Sequence, residues 1–240
     1  MSTLHHIQRK LHNLTHPVLG RILMLHRVVE QRSENPEQRE LEVTPQYLEQ
    51  TIKEYRQRGY RFVSIDQACD IITGKDKGKP FVCLTFDDGY QDNYDIAYPI
   101  LKKLNVLFAV YVSTGFIDNK LPMWWYPDEQ LGISTESVKA LDTDPLCTIG
   151  AHTVSHPKLD TLAPKEQKKE IEQSLHELEV LLGHPVRHFS YPHGAYNADT
   201  LKIVSESGFT SALCAWGGNI RKKDAALLEL PRIELRQPLE

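Results

Sequence analysis

The chain has little that would commit it to a membrane, a nucleic acid or an oxidising compartment. Its four cysteines, Cys69, Cys83, Cys147 and Cys214, show no paired spacing, and three lie in apolar runs where a free thiol behaves as a small hydrophobe. No disulfide framework is expected. No block of Lys and Arg occurs in the 240 residues, and a net charge of -4 gives nucleic acid or anionic lipid no electrostatic footprint. No apolar run reaches transmembrane length. Residues 1–20 mix basic and scattered apolar side chains without the continuous apolar stretch of a secretory signal. A cytoplasmic location is the expectation from these absences, and oligomeric state is left open.

What is present is an alternation of short apolar runs with helical patterns, the signal for successive βα units and a parallel sheet. Strands are expected at 22–26, 61–65, 81–86, 107–113, 146–151, 186–191 and 210–215, with 228–235 as an eighth piece. Thr44-Pro45 reads as a helix cap and first helical position, followed by Leu48, Ile52 and Tyr55 at helical spacing before Gly59. A second helix carries Ile171, Leu175, Leu178 and Leu182 from Pro164 to Gly183, and a third runs from about Ala198 to Ser207. A further helix ends near Leu104 and can only begin at Pro99, not run through it. Residues 31–40 read as a solvated loop. The segment 114–144 is too long for a bare connection and carries Trp124-Trp125-Tyr126, as expected of a wall or lid. The length suits one core, so a single domain is expected over 21–240, with 1–20 as an N-terminal extension.

Chemistry concentrates where the strands should end. Thr85-Phe86-Asp87-Asp88-Gly89 follows the apolar run 81–84, and His152-Thr153-Val154-Ser155-His156 follows the run 146–149. An Asp-Asp-Gly alone is more often a turn, and two His at i and i+4 alone can be chance. Their joint placement at strand ends, together with His193 and His26, puts them on the carboxyl rim of a parallel α/β sheet, where active sites form. One Asp and two His suit an open catalytic metal site, and the second Asp is left to handle a proton. The pattern reads as metal-assisted hydrolysis.

These residues resemble the first two motifs of the polysaccharide deacetylase family, the NodB-homology or carbohydrate esterase family four. Ser190-Tyr191-Pro192-His193-Gly194 is similar to its third motif, and Leu228 to Ile233 extends the likeness toward the C-terminus. The resemblance implies a distorted (β/α)7-8 barrel and metal-dependent removal of an N-acetyl group from an N-acetylhexosamine, in a glycan or a lipid-linked sugar. It implies Asp88, His152 and His156 as metal ligands and Asp87 as general base. The metal implied is Zn2+, although one Asp and two His also accept Co2+, Ni2+ or Fe2+. The backbone N–H of His193 falls where the family stabilises the oxyanion.

Two departures stand out. The late Leu-x-His motif that supplies the general acid is missing, and Leu23-Met24-Leu25-His26 stands near the N-terminus instead, so the chain resembles a circularly permuted branch. His26 is the candidate acid, with His193 as competitor. Ser190 occupies the place of the Arg that orients the base, and Arg232 is the candidate replacement. Trp124, Trp125 and Tyr126 either stack on sugar rings or anchor the insertion. A non-catalytic carbohydrate-binding relative and a deacetylase or deformylase of a small-molecule amide are the alternatives to a glycan deacetylase.

Overall fold

The computed structural model describes residues 18–76, 80–127, 129–221 and 226–238. In chain order its strands are β1 (Val18–Leu25), β2 (Arg27–Val28), β3 (Glu42–Val43), β4 (Arg61–Phe62), β5 (Phe81–Phe86), β6 (Phe108–Val112), β7 (Cys147–Ala151), β8 (His188–Ser190), β9 (Ser211–Gly217), β10 (Ile220–Arg221) and β11 (Leu230–Glu234). The helices are α1 (Pro36–Glu40), α2 (Pro45–Gln57), α3 (Ile65–Ile72), α4 (Tyr98–Lys103), α5 (Thr135–Asp142), α6 (Pro164–Leu182) and α7 (Ala198–Glu206). Of the expected N-terminal extension, residues 1–17 lie outside the described residues and 18–20 open β1.

Seven parallel strands close on themselves in the order β1-β5-β6-β7-β8-β9-β11, and β11 returns to β1 through Leu23↔Ile233 and Met24↔Glu234. This is the distorted barrel that the family resemblance implies, built from the parallel βα units that the alternation predicts. The distortion has a visible source: β4 pairs with the first residues of β5 while β6 pairs only with its last three, so two strands share one edge. On the other side, β10 takes the start of β1 in antiparallel fashion and β11 takes its end.

Strand alternation sorts the side chains into two layers. Ile22, Phe81, Cys83, Ala109, Tyr111, Leu213 and Leu230 meet inside the barrel. Strand residues of the opposite parity, among them Leu23, Val82, Leu84, Val110, Ile149, Phe189 and Ala212, pack outward with residues of the helices such as Leu48, Ile52, Leu141, Ile171 and Leu178. Full burial of each large aliphatic side chain contributes about 1.5–3 kcal/mol. At Gly150 an added Cβ would lie 2.5 Å from the Tyr111 ring, so a missing side chain makes room for an aromatic one.

Several helices follow from their caps. Thr44 accepts from the Tyr47 N–H at the head of α2, and Gly183 takes φ 78 to end α6. The expected strand at 61–65 is only two residues long, because Ser64 and Gln67 form a capping box and Ile65 already belongs to α3. Residues 31–40 are not wholly loop, since Asn35 caps α1. The insertion 114–144 holds α5, and α4 begins at Tyr98, with Pro99 in its first turn, after a wide π-helical turn at Asn93–Ala97.

Candidate active site

Strand parity aims the chemistry. Asp87 continues the inward series of Phe81 and Cys83, Arg232 continues that of Leu230, and His26 that of Ile22. Asp88 would by parity point away, but its φ of 74 turns the chain sharply, and Gly89 follows at φ 80. A Cβ at Gly89 would lie 2.9 Å from Val112 Cγ1, so glycine is required by space as well as by angle. His156 and His193 also stand at positive φ, 59 and 57. Three candidate site residues therefore hold a conformation that non-glycine residues rarely adopt, as strained functional loops do.

Asp88, His152 and His156 converge at the mouth of the barrel, with one ligand atom from each within 4.8 Å of the others. Asp88 Oδ1 lies 3.3 Å from His152 Nε2 and 3.2 Å from His156 Nε2. All three side chains are buried, and Asp88 Oδ1 has no hydrogen-bond partner among the described residues. His152 Nδ1 donates to the Ser190 carbonyl at 2.8 Å, which leaves the Nε2 lone pair facing the cluster. An orphaned carboxylate oxygen beside two imidazole nitrogens fits a divalent cation. Burial alone would raise the Asp88 pKa, yet His156 and His152 hold it well below the usual carboxylate range. Burial lowers His156, whereas the carboxylates of Asp87 and Asp88 outweigh burial at His152 and raise it.

Asp87 is held differently. Arg232 grips it through two bonds, Nη1 to Oδ1 at 2.8 Å and Nη2 to Oδ2 at 2.6 Å, and the Ser190 hydroxyl adds a third at 3.1 Å. Arg232 is itself fixed by Nε to the Cys214 carbonyl at 2.7 Å and Nη1 to the Thr85 hydroxyl at 3.1 Å. The pair is almost wholly buried. Burial would push the Asp87 carboxyl up, but the adjacent guanidinium brings it below its ordinary value, so it stays ionised and able to accept a proton.

The same cleft, about 630 Å³, is also lined by His26, His193, Trp124, Trp125, Tyr191 and Trp216. Every site residue expected from the sequence thus faces one space. His193 is pushed down to about 4 by burial and by the neighbouring His156 and His152, with its ring centroid 4.5 Å from that of His156.

With this geometry in hand, comparison with known proteins is direct. The family model for polysaccharide deacetylase matches residues 74–212, more than half of the chain and the span that carries Asp87, Asp88, His152, His156 and His193. The chain belongs to the polysaccharide deacetylase family. Over 202 residues it is 28% identical to the Bacillus subtilis protein YxkH, itself named for this family, covering 81% of this chain and 66% of that protein. It is 34% identical over 154 residues to a chitooligosaccharide deacetylase of Azorhizobium caulinodans, covering 64% of this chain and 63% of that one. The chain therefore spans slightly less than two thirds of the length of these curated relatives. Among solved structures, the Streptococcus pyogenes deacetylase PplD in complex with acetate superposes with a TM-score of 0.79 at 28% identity, covering 92% of this chain and 93% of that one.

Two of the candidate residues, His26 and Arg232, lie outside the span matched by the family model. β1, which leads to His26, sits between β5 and β11. The aromatic triplet divides by exposure. Trp124 is 64% exposed on the rim, whereas Tyr126 is buried and donates to Glu42 Oε1 at 3.2 Å. Trp125 lies between them, donating Nε1–H to the Tyr90 hydroxyl at 2.7 Å, its rings 4.9 Å from the ring of His156. Sequence reading missed Trp216, 65% exposed at the end of β9. The available signal was an aromatic followed by Gly217-Gly218 at a strand end, on the same rim as the other candidates.

Proposed function

We propose that this protein is a metal-dependent hydrolase that removes the N-acetyl group from an N-acetylhexosamine in a glycan or a lipid-linked glycan intermediate, with zinc as the first candidate metal. The observation that carries the reading is the contrast between two adjacent carboxylates: Asp88 Oδ1 is buried without a hydrogen bond beside two imidazoles, while Asp87 is fully engaged by Arg232. One is arranged for a cation and the other for a proton.

Asp88, His152 and His156 are the proposed ligands; a divalent cation there would supply Lewis acidity toward the acyl oxygen and the attacking water. Asp87 is the proposed base, and Arg232 keeps it ionised and fixes its orientation beside the cleft. His26 is the proposed acid, because expulsion of an amine needs a proton and His193, at about 4, is neutral near pH 7. The His193 backbone N–H is the proposed oxyanion donor. Trp124 and Trp216 offer aromatic faces to the apolar side of a pyranose.

The test is acetate release from N-acetylglucosamine oligomers of increasing length, from lipid-linked acetylated sugars and from small acetamides, each with zinc and with a chelator. Release from glycans that stops with chelator supports the proposal. Binding of the oligomers without release would mark a carbohydrate-binding relative, and release from small amides alone would mark a small-molecule amidase.

A further inference from the structure

His26 stands between β1 and β2, outside both, and three neighbouring polar residues tie down the chain around it. On one side the Asp87 N–H donates to the Leu25 carbonyl at 3.0 Å. At His26 itself, Asn93 Nδ2 donates to the carbonyl at 2.7 Å. On the other side, Asp92 accepts from the Val28 N–H through Oδ1 at 3.0 Å and from Arg27 Nε through Oδ2 at 2.8 Å. All of these anchors come from one short segment, residues 87–93, which also carries Asp88.

We propose that Asn93 and Asp92 are positioning residues for His26, holding the acid in register with the base; this rests on the assignment of His26 as the acid made above. The amide of Asn93 shows where its role lies. It is fully buried, and because the His26 carbonyl can only accept, its NH2 must face that carbonyl. Its Oδ1 is left buried with no partner among the described residues. An unpaired buried acceptor costs stability, so a residue kept only for packing would be better apolar. Asn93 is retained for where it puts His26. Asp92 supplies the second point, since a single bond to the His26 carbonyl would leave the following peptide free to rotate.

The experiment is a double-mutant cycle between Asn93→Leu, which keeps the volume and removes the donor, and His26→Ala, read as kcat, KM and bound metal on an N-acetylglucosamine oligomer. Misplacing an acid without removing it should lower kcat roughly 10- to 100-fold with KM and metal content little changed. In the His26→Ala background the same substitution should cost less than about twofold, because there is no longer an acid to misplace. An equal loss in both backgrounds, or wild-type kcat in Asn93→Leu alone, overturns the positioning role. Wild-type kcat in His26→Ala overturns the acid assignment instead, so the two failures are distinguishable. Should Asn93→Leu not fold, Asp92→Asn passes through the same cycle with the same expectations.

Discussion

Replacing Arg232 by Met tests the proton-handling half of the site most directly. Arg232 and Asp87 are joined by two bonds of 2.8 and 2.6 Å with almost no solvent contact. Removing one partner of a buried pair strands the other charge, at a cost of about 3–5 kcal/mol. For a domain of this size that corresponds to a fall in Tm of roughly 6–20 °C. The pH dependence is the sharper signature. Wild-type Asp87 has a folded pKa below its unfolded value of about 3.9, so the stabilisation is complete above about pH 4 and is lost only as pH falls through the folded value. Without the guanidinium, burial dominates and the folded pKa rises above the unfolded one. Arg232→Met should therefore gain stability as pH is lowered from 7 toward 5, and its kcat/KM should show an acid limb displaced upward. Thermal melts across that range, metal-loaded and with chelator, read the first effect, and pH-rate profiles the second. Adding Asp87→Asn to Arg232→Met should restore part of the lost stability, since the stranded charge is gone. A variant with unchanged Tm and an unmoved acid limb would refute the account of the pair.

Four further outcomes are expected. Asp87→Asn should retain metal and lose turnover by at least about 100-fold, whereas His152→Ala should lose metal as well, measured by metal analysis beside acetate release. His193→Ala should depress kcat far less than His26→Ala, because an imidazole at about 4 holds no proton near neutrality; the reverse ranking would exchange their roles. Trp216→Ala should raise KM for oligomers roughly two- to tenfold and leave the smallest substrate unaffected, as the loss of one stacking face predicts. Asp92, which burial raises to about 6 despite Arg27, has a folded pKa above its unfolded value, so it should make stability fall as pH rises from about 4 to 6. That component should be absent in Asp92→Asn.

The cluster of Asp88, His152 and His156 was readable from the chain because each member is local: a turn after an apolar run, on the side where parallel strands end. The parallel βα order was readable in the same way, whereas closure into a barrel was implied by the family resemblance and rests on the long-range pairing of β1 with β11. Other features were hidden by competing local signals. Arg61 to Ile65 looks like a strand, and only the Ser64/Gln67 box reveals a helix start inside it. The role of Arg232 could be guessed from the missing Arg at Ser190, but its grip on Asp87 spans 145 positions and has no local signature. Trp216, the anchoring of Tyr126 by Glu42 and the ties from Asn93 and Asp92 to the His26 segment likewise depend on contacts that no spacing rule reports.

The pairing of β1 with β11 has a consequence for how the molecule comes into being. One half of the proposed proton relay is delivered by residue 26 and the clamp on the other half by residue 232, and the two strands that bring them meet only when the cylinder shuts. Contacts between such distant stretches are slow to form. A nascent polypeptide halted before Leu230 would already possess the three proposed cation ligands yet lack the arginine that keeps the neighbouring carboxylate charged. Synthesis of β11 thus completes the proposed base, and truncation before it should abolish acetate release.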